Sequence, residues 1–193
     1  QGYGLTETSP VVSCNPIEDI RIDTVGIPFK CNNVKIAGDG EILVKGENIM
    51  LGYWNKKEET DKVLVDGWLH TGDIGKFVNG YLKITDRKKD ILITPGGDNI
   101  SPVKLETELT KSNFIDQCLV YGDNKPYLVA LLVLNSEINI NEKELSGEIE
   151  KINRNLSKIE KIKKYFIIKE KFSIENGMLT PTLKLKRYKI ISI

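Results

Sequence analysis

Four short runs hold the side chains best suited to chemistry. Tyr3-Gly4-Leu5-Thr6-Glu7 sets a Gly-flanked aromatic ring ahead of a hydroxyl and a carboxylate, types that can stack a base, touch a phosphate oxygen and hold Mg²⁺ in that order. A loop carrying a helix cap explains the same run equally well. In Trp68-Leu-His-Thr-Gly-Asp73, the carboxylate follows a glycine, which predicts an exposed turn where Asp73 can accept both hydroxyls of a ribose; a structural turn aspartate is the plainer alternative. Arg87 closes a strand-like run and suits a hydroxyl, a phosphate or an ordinary surface ion pair. Leu179-Thr-Pro-Thr-Leu-Lys184-Leu-Lys-Arg187 is a Pro-anchored cationic strip. It is either a solvated face or the source of a cation for a negatively charged reaction centre.

Elements must exist to hold these residues. The chain has 193 residues, 40% of them hydrophobic, enough for one domain or two small ones. No window approaches the roughly 18 consecutive apolar residues of a membrane span, and the first residues lack a secretory pattern, so a cytoplasmic location is expected, with peripheral membrane attachment left open. Cys14, Cys31 and Cys118 fit neither a disulfide framework nor a zinc site and read as three buried small hydrophobes. The net charge of +1 hides an asymmetry: Lys151 to Lys189 holds 12 basic and 3 acidic residues. That end suits a phosphate-rich small molecule, an anionic membrane or nucleic acid.

Residues 1–86 read as a small β-rich, barrel-like unit. Its hairpins turn at Gly38-Asp39-Gly40 and at Asn79-Gly80, and a short helix over "NKKEETDKVL" is capped by Asn55. Residues 87–90, within the charged run "DRKKD", read as a hinge. From 91 to 193 the pattern predicts a compact α+β unit. Ser101 and Pro102 start a helix, "DQCLVYGD" and "YLVALLVLN" are buried strands, and "YFIIKEKF" is another. Leu145, Ile149, Ile152, Leu156 and Ile159 form the stripe of an amphipathic helix.

The ordered series "QGYGLTET", "GYWNKKEET", "DGWLHTGDIG", "GYLKITDRKKDILITPGGDNISPVKLE" and "NGMLTPTLKLKR" resembles the adenylate-forming, AMP-binding enzymes. Within them, "YGDNKPYLVALLVLN" and "LTPTLKLKR" look most like long-chain fatty acid–CoA ligases; shorter-chain members usually have a glycine before the final lysine. The resemblance implies an α+β adenylate-forming fold, here incomplete, whose second domain is mobile. It implies ATP (leaving as AMP), Mg²⁺ and CoA as cofactors, and a long-chain fatty acid as substrate.

By the same resemblance, Tyr3 beside Gly4 stacks on adenine, Thr6 contacts the nucleotide phosphate, Glu7 coordinates Mg²⁺, and Asp73 and Arg87 hold the ribose. Lys89 is the hinge. Gly96 and Gly97 let backbone amides approach the pantetheine arm of CoA. Lys184 is the lysine that closes on the adenylation site. Glu106 matches a family acidic position; from sequence alone it reads as a helix-face charge. Lys186, Arg187 and Lys189 read as CoA phosphate contacts or, more simply, surface charge. His70 has no role in the family mechanism and reads as a packed or exposed ring.

The family's phosphate loop, which precedes "QGYGLTE" in full-length members, and most of the acyl pocket are absent. The expectation is therefore a chain missing its N-terminal part and inactive alone. Two other readings stay open: an enzyme loading a carrier protein instead of CoA, and a basic module docking on membrane. Nucleic acid is not expected, because the basic region offers no spaced aromatic platform.

Overall fold

The computed structural model describes residues 1–192. The chain forms two compact units that meet in sequence beside Lys89.

In the first unit, β1 (Gly2–Tyr3), β2 (Ser13–Cys14) and β3 (Ile27–Pro28) make a small antiparallel sheet. A five-stranded sheet follows, from β4 (Asn32–Ile36), β5 (Glu41–Gly46), β6 (Leu64–Val65), β7 (Trp68–Val78) and β8 (Tyr81–Arg87), all pairings antiparallel. The β4–β5 turn has Gly40 at φ +87°, and the β7–β8 turn has Asn79 and Gly80 at +50° and +83°. Both central residues of that second turn are left-handed, as a two-residue hairpin requires. Tyr3, Val12, Ile42, Val44 and Leu82 form the core. Helix α1 (Lys57–Val63) begins one residue later than expected: Lys56 is its N-cap and makes no side-chain bond. Asn55 instead sits at φ +54° in the preceding turn, and the Thr60 hydroxyl steadies the entry by accepting from the Tyr53 amide at 2.9 Å.

In the second unit, β9 (Leu92–Ile93) and β10 (Asn99–Ile100) form a hairpin. Helix α2 (Pro102–Thr110) starts at Ser101, whose side chain accepts from the Lys104 amide, with Pro102 at the first helical position. Strands β11 (Ile115–Tyr121) and β12 (Leu128–Leu134) pair antiparallel, and β13 (Ile162–Ile167) joins β12 in parallel after the crossover helix α3 (Glu142–Arg154). Alternate β11 residues serve opposite faces. Cys118 and Val120 pack with α2 and α3; Leu119 packs with Phe172, Met178 and Leu179 of the following segment. That segment ends in α4 (Arg187–Ile191).

Two expectations shift. The stripe outruns its helix: α3 stops at Arg154, Leu156 is buried beyond it, and Ile159 is exposed. The cause is Asn153, whose side-chain amide exchanges two hydrogen bonds with the Ile162 backbone at 2.9 and 2.8 Å and turns the chain into β13. That strand accordingly begins before "YFII" and ends before "KEKF". Of the cysteines only Cys118 is buried; Cys14 is exposed on the outward side of β2 and Cys31 in the turn before β4. Burial pushes the Cys118 thiol up to about 12.

Candidate functional site

Strand register creates the first cluster. Asp73 in β7 lies directly opposite Arg87 in β8, and Arg87 Nε meets Asp73 Oδ1 at 2.9 Å. The Tyr3 hydroxyl donates to Asp73 Oδ2 at 2.7 Å. The structure thus brings together three residues scattered over the sequence. It also corrects the exposed-turn expectation: Asp73 sits inside an 11-residue strand and is only 4% exposed. Gly72 at φ +70° kinks that strand, and the Thr71 hydroxyl, which accepts from the Asp73 amide, donates to Ile42 O. Tyr3 is itself in the core, and burial drives its phenol pKa strongly upward.

Gly4 is demanded by its surroundings, since a Cβ there would run into the Pro10 carbonyl. Thr6 and Glu7 follow in a short 3₁₀ turn (Thr6–Thr8). Thr6 is exposed. Glu7 lines a cleft of about 400 Å³ together with Tyr53, His70, Gly72 and Arg87. The Tyr53 hydroxyl donates to Glu7 Oε1 at 2.8 Å, and that bond raises the Tyr53 pKa. Tyr53 was not singled out in the sequence; its only signal was the "GYWN" run.

A second cluster lines the same cleft, and its centre, Glu41, was also missed. Glu41, on β5, is buried; it accepts from the Gly72 amide at 2.9 Å and from Lys88 Nζ at 2.9 Å, and faces His70 Nδ1 at 3.0 Å. Burial would raise its pKa, but Lys88, His70 and the Gly72 amide together hold it below the usual value. Lys88 also pairs with Asp39 at 2.7 Å, and bonds to Asp39 and then Glu41 raise its own pKa. The charged run is therefore anchored: Arg87 and Lys88 are tied down immediately before the exposed Lys89.

In the second unit, Gly96 and Gly97 occupy the exposed β9–β10 turn, with Gly97 at φ +86° and open space on its side-chain side. The Thr94 hydroxyl accepts from the Asp98 amide at 3.0 Å and pins the turn. Lys184 is exposed just after the Pro181-Thr182 turn of a tight hairpin. The Thr180 amide donates to Lys184 O at 2.8 Å and the Lys184 amide to Thr180 Oγ1 at 3.0 Å, while Leu179 bridges Leu185. Leu183 takes φ +61°, a position that favours glycine, and leaves its side chain 68% exposed.

Two surface-charge expectations are overturned here. Glu106 is 9% exposed and Arg187 grips it with both nitrogens, at 2.7 and 2.6 Å; the Val120 amide also donates to Glu106, at 2.8 Å. Helical spacing turns Glu106 toward the sheet, where a carboxylate needs partners.

The model of the AMP-binding enzymes matches residues 1–54 and that of their C-terminal domain matches residues 89–187, so the chain belongs to the AMP-binding enzyme family. Among its curated relatives, long-chain-fatty-acid–CoA ligase FadD15 of Mycobacterium tuberculosis is 37% identical over 97% of this chain and 35% of its own length. Long-chain-fatty-acid–CoA ligase 5 of Rattus norvegicus is 35% identical over 98% of this chain and 33% of its own. Hence the chain spans about a third of the length of these relatives. Among solved structures, O-succinylbenzoate coenzyme A synthetase from Bacillus subtilis in complex with AMP is 29% identical, with a TM-score of 0.79 over 98% of this chain and 40% of that one. No helix among the described residues is long and apolar enough to cross a membrane.

Proposed function

We propose that this chain is the C-terminal portion of an ATP-dependent long-chain fatty acid–CoA ligase. The observation that carries the reading is the Tyr3–Asp73–Arg87 cluster at the edge of the cleft that holds Glu7. Asp73, held by Tyr3 and Arg87, takes the ribose hydroxyls; what remains exposed of the Tyr3 ring meets the adenine, and Thr6 meets the phosphate.

One carboxylate with Tyr53 on one oxygen fits Mg²⁺, which takes one or two protein carboxylates and completes its shell with phosphates and water. When bound, the ion supplies charge neutralisation on the phosphates.

In the first half-reaction, a fatty-acid carboxylate oxygen attacks the α-phosphorus of ATP, the bond to pyrophosphate breaks and an acyl adenylate forms. Negative charge gathers on the phosphorus oxygens, so the Lys184 ammonium stabilises the transition state more than the ground state. In the second, the CoA thiol gives up its proton and attacks the acyl carbonyl, and AMP leaves. The Gly96–Gly97 turn leaves room for the pantetheine arm to approach the backbone, the Gly97 amide itself being held by Thr94 O at 2.9 Å, and a swing about Lys89 separates the two steps.

Peripheral attachment to an anionic membrane is part of the reading. It is supported by Phe166 and Ile167, which are 58% and 51% exposed, among the exposed Lys163, Lys164 and Lys169.

The test uses the complete enzyme. Lys184→Ala should lower ATP–pyrophosphate exchange by about 10²–10³-fold while thioester formation from supplied acyl adenylate persists. Lys89→Pro should do the reverse, because a fixed φ blocks the swing. Should both variants damage the same half-reaction, the two-step assignment is wrong. Transfer to a phosphopantetheinylated carrier instead of CoA would overturn the acceptor.

A further inference from the structure

The segment carrying Lys184 packs on one face of the β11–β12–β13 sheet, through Phe172, Met178, Leu179 and Leu185, whereas α2 packs on the other. β11 lies at the edge of that sheet, and polar ties at both ends of the segment secure it there. At the segment's start, the Gln117 side chain on β11 donates to Phe172 O at 2.9 Å and accepts from the Phe172 amide at 2.7 Å. At its end, Arg187 reaches Glu106 on α2, and the same carboxylate accepts the Val120 amide of β11. Helix, edge strand and cationic segment converge on one buried carboxylate.

Between these ties the hairpin rests on apolar contacts, which are non-directional and tolerate sliding. A guanidinium bound through two parallel hydrogen bonds fixes position and rotation together. The Lys186 amide, by contrast, bonds to Met178 O within the same hairpin and does not tie it to the sheet or to α2.

We infer that Arg187, clamped by Glu106, is a positioning residue that aims the Lys184 ammonium for adenylate formation. The inference rests on the function proposed above and adds a residue to it. Electrostatic stabilisation of a transition state decays sharply with misplacement, so loosening the hairpin should harm adenylation and spare the thiol step, in which Lys184 has no part.

The experiment compares Arg187→Met, the double variant Glu106→Leu/Arg187→Met and Lys184→Ala in the complete enzyme. The double variant removes the pair without stranding a buried charge, so it is expected to fold. For both clamp variants, pyrophosphate exchange should fall by up to about 10²-fold, with thioester formation from supplied acyl adenylate near the parent rate. Amide exchange at Lys184 and Lys186 should quicken while β11 and β12 keep their protection. Arg187→Lys should fall between.

Equal loss in both half-reactions would show a merely structural clamp and overturn the inference. So would unchanged pyrophosphate exchange in the double variant. If Lys184→Ala retains exchange, the proposed function falls and the inference with it; if Lys184→Ala loses exchange and the double variant does not, the inference alone falls.

Discussion

The two buried glutamates make an instructive pair. Each lies under a basic residue close to a lysine assigned to function: Glu41 under Lys88, next to Lys89, and Glu106 under Arg187, three positions after Lys184. Their carboxylates are about equally hidden, at 5% and 11% side-chain exposure, yet Lys88 is 49% exposed and Arg187 only 16%. Lys88 divides a point charge on a flexible stem between Asp39 and Glu41, so it can keep one partner while turning. Arg187 sets a planar fork squarely on the Glu106 carboxylate. Under the proposed function, the first arrangement suits the pivot beside Lys89 and the second the fixed aim of Lys184.

The comparison breaks most visibly at Glu106. Glu106→Ala leaves the Arg187 guanidinium and the Val120 amide without their carboxylate, and should cost about 3–5 kcal/mol in urea unfolding of the chain, whereas replacing both partners by apolar residues strands only the Val120 amide and should cost about 1–3 kcal/mol. Lys88→Met should cost less, about 1–3 kcal/mol, because the buried Glu41 carboxylate loses its ammonium but keeps the Gly72 amide and His70. That smaller effect should fade in high salt; the Glu106 effect should persist.

The finest discrimination comes from pH. Glu41 is held below its ordinary value of 4.5, so its contribution is complete above that value and is lost as pH falls through the depressed one. Lys88 is raised above 10.5, so its share is complete below that value and is lost as pH climbs past the raised one. Stability of the first unit should therefore hold level between those limits and drop at both ends. Glu41→Gln should flatten the acid drop in a pH series of denaturant midpoints; an unchanged acid limb would show that other carboxylates govern it.

Much of the fold could be read from local sequence because its signals are local. Asn79-Gly80 dictates its own turn, Ser101-Pro102 its own helix start, and the β11 and β12 runs their own burial. The site was legible as a set of residue types, not as contacts. Tyr3 meets Asp73 across 70 residues, and Arg187 meets Glu106 across 81, distances over which no periodicity speaks. Asp73 looked like a turn residue because Gly72 precedes it; only the cross-strand partner Arg87 shows that the glycine is a kink inside a strand. Ile159 looked helical because its spacing continued the stripe, while the stop was written in the Asn153 side chain, which pattern counting ignores.

Leu183 bears on any attempt to engineer this protein. A leucine in the left-handed region costs roughly 1–2 kcal/mol, a strain that glycine escapes, so selection for heat resistance should favour Leu183→Gly early. The survivors of such a campaign would have lost an exposed apolar side chain adjoining the ammonium at residue 184, on a backbone freer to wander. Libraries screened by melting temperature should therefore be rescored by turnover before that exchange is kept.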